Sequence, residues 1–278
     1  MNKIAKALAI STLLLGSMSA IHATVIFSEN FDEYTAGEPV PWNTDYSENW
    51  LQVVAYDFDT ETDSSHMFSA GPNQYGSLSG SNLSSQMVAR STVFDGPGTQ
   101  TGQMSFAFYD PSSEPHSGNG FVFRISNQDS GNAKAAFAIF IQNGELILAY
   151  GSDIIPSATS FASYNQNEAN QLDIVFNNSD SPLTYSGGTI VAGAMDVYLN
   201  GELVGDDLGR AGSLGTGVNI RSFNITAKTS PAFTGTMYLD DIVVDDSISI
   251  PEISESSLYM GIIPLVLLAL RRRRNKRS

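Results

Sequence analysis

Short apolar or alternating segments recur along the chain, separated by Gly, Asn, Asp, Ser and Pro, and no helical period persists between residues 24 and 246. Phe121, Phe123 and Ile125 occupy every second position, and Arg124 lies between the last two, as a half-buried β-strand requires. The pattern predicts strands over residues 25–27, 51–55, 87–94, 104–108, 121–125, 135–142, 145–150, 172–176, 195–199, 202–204, 223–227 and 237–244. A chain of this kind buries its apolar side chains by stacking strands rather than by packing helices.

Two connections between these segments have the chemistry of tight turns. Asn143-Gly144 and Asn200-Gly201 each separate two apolar runs. Asn and Gly tolerate the positive φ angles of the primed turns that join antiparallel strands, so two hairpins are predicted. Many short strands without helices favour an antiparallel β-sandwich, with long surface loops over residues 111–120 and 182–193.

The N-terminal segment is typical of a secretory signal. Lys3 and Lys6 precede an apolar run over residues 7–15, and small residues lead to Ala23. A charged start, a short apolar stretch and a small-residue cleavage site predict a signal helix over residues 1–23, removed on export. A buried N-terminal helix is the alternative, but nothing amphipathic follows the apolar run.

The C-terminal segment combines a short apolar run over residues 258–270 with the basic residues Arg271, Arg272, Arg273 and Arg274. A helix of this run spans roughly 20 Å, against about 30 Å for the hydrocarbon layer, so it predicts a marginal transmembrane helix. Arginines beside an apolar run stay on the cytoplasmic side and place the preceding domain outside the cytoplasm. The tail is therefore interpreted as membrane-associated and not as a nucleic-acid site.

The charge balance separates the body from its ends. The chain has 14 Lys and Arg against 29 Asp and Glu, and eight of the bases lie in the two terminal segments. Such an acidic body repels nucleic acid and anionic lipid and favours cations such as calcium. Cysteine is absent, which excludes disulfides, thiolate metal sites and a cysteine nucleophile.

The tail resembles the PEP-CTERM sorting signals of Gram-negative bacteria. Pro251 and Glu252 precede the apolar run and the arginine cluster, in the order, spacing and terminal position of that family. Ile253 stands where the family usually has a second proline. The resemblance implies processing by an exosortase-like enzyme and delivery to the cell envelope or extracellular matrix, with residues 247–257 as a linker that carries the sorting motif.

Residues 24–246 are similar to bacterial concanavalin A-like and laminin G-like jelly-roll domains. The similar segments are the opening strand over 27–42, a central hairpin over 196–204 and a closing strand over 238–244. The resemblance implies a jelly-roll sandwich but does not fix a ligand, because this fold serves lectins, carbohydrate-binding modules, glycosidases and adhesion domains, and polysaccharide is one candidate partner. It also implies a structural calcium ion held by Glu29 and Asp32 from the first strand with Asp240 and Asp241 from the last.

No catalytic residue is predicted. A sandwich glycosidase needs two carboxylates on one face about 5 Å apart, and the strand over 171–176 has a single acid, Asp173. Another acidic pattern, Asp57, Asp59, Glu61 and Asp63, lacks the glycine of an EF-hand and is interpreted as a solvated edge or loop. His66 and His116 are expected in surface loops.

Aromatic residues offer one further possibility. Trp42, Trp50, Tyr56, Tyr75 and Tyr109 could stack on sugars or fill the core, and both tryptophans are expected in the core. The function predicted is a non-catalytic, exported cell-surface or matrix protein whose sandwich binds glycan. The alternative is a secreted glycoside hydrolase or lyase of the same fold.

Overall fold

A computed structural model describes residues 24–45, 47–54, 56–81, 87–128, 131–227 and 232–249. Every element within these ranges is a β-strand except one 3-10 helix, Asn132–Lys134. None of the helices in this part of the chain has the length and apolarity that a membrane span needs. The predicted signal helix, the sorting motif and the predicted transmembrane helix lie outside the described residues.

The strands, numbered in chain order, are β1 Val25–Glu29, β2 Trp50–Val54, β3 Asp57–Thr62, β4 Gln74–Ser81, β5 Met87–Ser91, β6 Thr101–Tyr109, β7 Phe121–Ser126, β8 Ala135–Gln142, β9 Glu145–Tyr150, β10 Ile155–Pro156, β11 Ala162–Ser163, β12 Ala169–Asn177, β13 Leu183–Tyr185, β14 Gly188–Ile190, β15 Ala194–Leu199, β16 Glu202–Gly209, β17 Ser222–Ala227 and β18 Thr234–Asp245.

Two sheets form the sandwich. Sheet A has the order β16-β15-β12-β6-β18-β4-β3, with β1 also paired to β18. Sheet B has the order β10-β9-β8-β7-β17-β5-β2, with β11 also paired to β9. The hairpin β13-β14 stands apart, and all of these strand pairs are antiparallel. The prediction of an antiparallel β-sandwich is confirmed.

The core lies between the two sheets and is rich in phenylalanine. Met104, Phe106 and Phe108 of β6 point inward and are at most 2% exposed. Phe106 stacks on Phe123 of the facing sheet, with ring centroids 4.3 Å apart. Aromatic pairs of this kind bury large areas and lock the spacing of the layers, which a domain without disulfides needs.

The two Asn-Gly turns are confirmed. Asn143 and Gly144 have φ angles of 47° and 85°, and Asn200 and Gly201 have 52° and 83°. Each pair joins neighbouring strands, β8 to β9 and β15 to β16. Positive φ at both central positions is the signature of the primed turn.

All of the predicted strands are present, but the sequence pattern missed several others. β3 and β4 were not predicted, since their sequences are acidic and rich in Ser and Gly. Gly76 is needed in β4 because a Cβ there would lie 2.6 Å from Phe31 Cζ. The predicted loop over 182–193 is corrected, since it contains the hairpin β13-β14.

Candidate functional site

Three tyrosines of neighbouring strands form a row on the outward face of sheet A. Tyr238 of β18 lies directly opposite Tyr109 of β6, with ring centroids 5.7 Å apart and planes 24° apart. On its other side, the Tyr238 ring lies 4.9 Å from that of Tyr75 of β4. Tyr109 and Tyr238 are partly exposed, whereas Tyr75 is only 9% exposed. We call Tyr75, Tyr238 and Tyr109 the tyrosine row.

Strand alternation accounts for this placement. Met237 and Leu239 of β18 are fully buried, so the intervening Tyr238 projects to the other side. The same alternation applies to the neighbouring strands. Phe108 and Leu78 point into the core, so Tyr109 and Tyr75 project from the outward face of sheet A. The row is therefore a consequence of the pattern that builds the core.

Carboxylates border the tyrosine row. Glu61 of β3 pairs with Tyr75, while Asp57 and Asp59 occupy the same face of β3 and pair with Ser79 and Ser77. These three acids confirm the prediction of an acidic edge, because β3 ends sheet A. The prediction is wrong for Asp63, which was grouped with them and is only 2% exposed. The acids along one side of the row thus belong to β3, a strand that the sequence pattern missed.

A fourth carboxylate comes from the loop after β6. Glu114 Oε2 accepts a hydrogen bond from Thr236 Oγ1, two residues before Tyr238. A cleft of about 330 Å³ lies beside it, lined by Asp57, Ser79, Glu114 and Thr236 among others. Burial raises the pKa of Tyr238, and the negative charges of Glu114 and Glu61 raise it further. The phenol is therefore a stable hydrogen-bond donor near neutral pH.

The strands that carry the tyrosine row and the acids of β3 lack basic residues. The strands β3, β4, β6 and β18 contain no Lys or Arg. The five Lys and Arg of the described ranges are Arg90 on β5, Arg124 on β7, Lys134 in the 3-10 helix, Arg210 after β16 and Arg221 before β17. The acids around the tyrosine row therefore have no basic neighbour on their own strands.

Asp63 organises the loop that covers one end of the row. Its carboxylate accepts hydrogen bonds from the backbone N–H groups of Met67 at 2.7 Å, Phe68 at 2.8 Å and Ser69 at 3.3 Å. Burial raises the pKa of Asp63, but these backbone hydrogen bonds outweigh it and hold the pKa below its usual value. The loop places the ring of Phe68 5.7 Å from that of Tyr75.

A buried Asp-His pair anchors the loop that carries Glu114. Asp110 Oδ1 lies 3.4 Å from His116 Nε2, and both side chains are fully buried. Asp110 Oδ2 also accepts a hydrogen bond from Tyr164 Oη at 2.5 Å. The expectation that His116 lies in an exposed position is wrong, because its ring packs beneath Gly235 and against Phe121. Sequence reasoning missed the burial of His116 because Gly235, which covers its ring, is remote from it in the chain.

The predicted calcium ligands lie where β1 ends beside the bulge of β18. Glu29 is buried, and its Oε2 accepts hydrogen bonds from Tyr34 at 2.6 Å, Asn49 at 3.1 Å and Trp50 Nε1 at 3.2 Å. Its Oε1 accepts one from the backbone N–H of Phe31 at 2.8 Å. Glu29 thus fixes the start of the domain through internal hydrogen bonds.

The three aspartates of the predicted set influence one another electrostatically. Burial raises the pKa of Asp240 to about 7, with the charges of Asp241 and Asp32 adding to the rise and the Asn73 hydrogen bond opposing it. Glu29 and Asp241 border a common polar cleft of about 530 Å³. Within the described ranges, no three His, Cys, Asp or Glu side chains are grouped so that they could hold a metal ion. Calcium binding would require these side chains to rearrange, and it stays a prediction.

Two other acids of sheet A are used internally. Asp173 of β12 accepts hydrogen bonds from Ser105 Oγ at 2.6 Å and Gln103 Nε2 at 3.1 Å, and it is 5% exposed. Asp196 of β15 accepts one from Tyr185 of the β13-β14 hairpin at 2.7 Å and is 2% exposed. Neither carboxylate is presented to solvent.

The remaining predicted aromatic residues separate into two groups. Trp50 and Tyr56 belong to the core. The expectation that Trp42 is buried is wrong, since it is 47% exposed beside the β2 edge of sheet B. Only Tyr75 and Tyr109 of the predicted aromatic set meet on one surface, and Tyr238 completes it. The alternation of residues 237–239 was the signal that could have identified Tyr238.

Comparisons with known proteins find no family and only weak likenesses to solved structures. No protein-family model matches the chain, and a search of curated proteins finds no significant match. Among solved structures, the carbohydrate esterase vb_24B_21 from Shiga toxin-encoding bacteriophage phi24B is 12% identical with a TM-score of 0.47, covering 82% of this chain and 100% of its own. The T. cruzi calreticulin globular domain is 12% identical with a TM-score of 0.44, covering 90% and 100%.

A third solved structure is the VIP36 exoplasmic/lumenal domain in a Ca²⁺/Man3GlcNAc-bound form. It is 11% identical with a TM-score of 0.37, covering 73% of this chain and 88% of its own. At such scores the likeness supports no conclusion beyond what the strand pairing of this chain shows. By that pairing, the protein is a two-sheet antiparallel β-sandwich with a tyrosine-lined, acidic face.

The first prediction concerns Asp63. Asp63→Asn replaces charge-assisted hydrogen bonds by neutral ones and is expected to lower the free energy of unfolding by about 1–2 kcal/mol at neutral pH. The pKa of Asp63 is depressed in the folded state, so this contribution is present above the unfolded pKa and is lost as pH falls through the folded one. Urea denaturation should therefore show the two proteins converging below about pH 4.

Asp59→Asn on the preceding strand β3 is the matched control, since Asp59 makes no comparable set of backbone contacts, and it should leave stability nearly unchanged. An equal loss for Asp63→Asn at pH values on both sides of that transition would contradict the role given to the carboxylate.

The second prediction tests calcium. Adding calcium to chelator-treated protein is expected to raise the Tm by roughly 5–10 °C at a hundredfold excess over the Kd, because binding to the folded state adds about 2.7 kcal/mol. Asp241→Asn should reduce the rise, and Asp57→Asn should not. An unchanged Tm would remove calcium from the description of this protein.

Proposed function

We propose that residues 24–246 form a non-catalytic, glycan-binding jelly-roll domain of the concanavalin A-like type, exported to the cell surface. The tyrosine row is the observation that carries this proposal. Tyr109 and Tyr238 are partly exposed, nearly parallel and adjacent, and they lie beside acids, serines and a threonine.

Aromatic rings bordered by polar side chains match the apolar face and the polar hydroxyls of a sugar ring. A pyranose has an apolar C–H face that packs on a flat aromatic ring, and its hydroxyls need acceptors and donors at the rim. The rings of Tyr109 and Tyr238 stack on each other, with centroids 5.7 Å and planes 24° apart, so they form one aromatic unit beside which a sugar can pack. Glu61, Glu114 and the hydroxyl of Ser77 provide polar partners around it.

A glycoside hydrolase or lyase is the second candidate, and one observation favours it. Asp57 and Glu114 both line the cleft of about 330 Å³ beside the tyrosine row. Two carboxylates across a cleft are what general acid-base hydrolysis requires. Release of reducing ends from a polysaccharide by the wild-type protein, with loss of this activity in Glu114→Gln, would establish this function in place of simple binding.

The third prediction concerns Tyr238. Tyr238→Ala removes the central ring of the row and is expected to weaken binding of its oligosaccharide about tenfold or more, since a ring contact contributes on the order of 1–2 kcal/mol. Glycan-array screening followed by calorimetry measures the change.

Tyr150→Ala is the matched control because Tyr150 is 51% exposed and lies on β9 of sheet B. Equal loss of affinity in both variants, or retention of full affinity by Tyr238→Ala, would move the binding site away from the tyrosine row.

The proposal also includes the ends of the chain. We infer that residues 1–23 direct export and that Pro251 and Glu252, the apolar run over 258–270 and the arginines that follow act as a sorting tail for an exosortase-like enzyme in a Gram-negative-type envelope. What supports this is the order of charge, apolar length and position in the sequence. Until processing, the tail would anchor the domain in the membrane.

The fourth prediction is the chemical state of the mature C-terminus. Intact mass spectrometry of protein from the native host is expected to show a chain that begins after Ala23 and ends near Pro251-Glu252. Pro251→Ala with Glu252→Ala should preserve the tail. An unmodified end at Ser278 in the wild-type protein would replace sorting and cleavage by simple anchoring.

A further inference from the structure

We infer that the tyrosine row selects glycans that carry protonated amines, that is, polymers of amino sugars whose nitrogen is not acetylated, over neutral and anionic glycans. This inference rests on the proposed glycan-binding function and specifies the ligand class for the same surface. It follows from the charges around the row and from the faces of its rings.

The charge around the row has one sign. Glu61 pairs across the strands with Tyr75, and Glu114 is held next to Tyr238 through Thr236. Asp57 and Asp59 continue the acidic line along β3. Because β3, β4, β6 and β18 contain no Lys or Arg, no base on these strands offsets the four carboxylates. A uronic-acid polymer would approach like charge, which is how an interface rejects a wrong partner.

The rings add attraction for the same kind of ligand. An ammonium group over the face of a tyrosine is drawn to the negative face of its π-system. Tyr109 and Tyr238 form a stacked pair that is partly exposed, and the charges of Glu114 and Glu61 add to the burial that raises the pKa of Tyr238. An amine above the row would thus be held by ring and carboxylate together, which neither a hydroxyl nor an acetamide can reproduce.

The accessible part of the row is short. Tyr238 and Tyr109 lie on the neighbouring strands β18 and β6, about 4.8 Å apart, whereas Tyr75 is 9% exposed and packs against Phe68. The preference for an amine is therefore expected from a single sugar contact beside the acids.

A matched set of hexasaccharides tests the inference. Fully deacetylated glucosamine hexamer, its N-acetylated form, a neutral glucose hexamer and a galacturonate hexamer are titrated into the full folded domain by calorimetry. At low salt the amine form should bind about tenfold more tightly than the acetylated form, and the uronate should not bind. In about 1 M salt, where the Debye length is about 3 Å, the preference should shrink.

A variant pair separates a local effect from the overall acidity of the protein. Glu61→Gln with Glu114→Gln should lose the preference for the amine while still binding the acetylated hexamer. Glu202→Gln with Asp206→Asn makes the same charge change on β16, at the far edge of sheet A, and should keep the preference. Thermal melting of each variant verifies that the domain remains folded.

The outcomes test the preference for amines and the glycan-binding function separately. Equal or tighter binding of the acetylated or neutral hexamer overturns the preference for amines and leaves glycan binding in place. If both double variants lose the preference for the amine hexamer equally, the net charge of the protein causes that preference. This result also overturns the inference, which assigns the preference to the tyrosine row. Absence of binding by all four hexamers, with the glycan array also negative, overturns the proposed function itself.

Discussion

The hydrogen bonding of β18 is the constraint on which the rest of this sandwich depends. Along one edge the strand pairs first with β4 and then with β1, and along the other it pairs with β6. Its bulge between Asp240 and Val243 marks the change from one partner to the next. A bulge bends a strand and redirects its side chains. It therefore places Asp240 and Asp241 at the junction with β1 while Tyr238 stays in the tyrosine row.

The shortage of bases shapes the interior as well as the surface. Two buried carboxylates, those of Glu29 and Asp63, are stabilised by neutral donors. Glu29 receives a phenol, an amide and an indole N–H, and Asp63 receives three backbone N–H groups. Such hydrogen bonds compensate desolvation without a partner charge. Each network also pins a loop, which is how an acidic domain without disulfides keeps its loops in place.

The sequence predicted the fold better than the site, for a physical reason. Strands such as 135–142 and 145–150 were found at their observed bounds because apolar alternation and an Asn-Gly turn are local signals. β3 and β4 were missed because they gain stability from neighbours. Gly76 and Gly80 of β4 leave room for Phe31 from the turn after β1 and for Met87 of β5. The tyrosine row shares this limit, since Tyr75, Tyr109 and Tyr238 are far apart in sequence and only strand register brings them together. His116 and Trp42 were misplaced because burial depends on such remote contacts.

The position of Glu114 shows how the interior and the binding face are connected. The residue sits on a loop whose far end is fixed by His116, which is held by Asp110 and by the side chain of Asn143. Asn143 belongs to the β8-β9 turn of sheet B, so a turn in one sheet helps to place a carboxylate on the outer face of the other. Because Asp110 and His116 are fully buried, this support is shielded from solvent and from salt. Glu114, one of the four acids beside the tyrosine row, is thus positioned by contacts within the core.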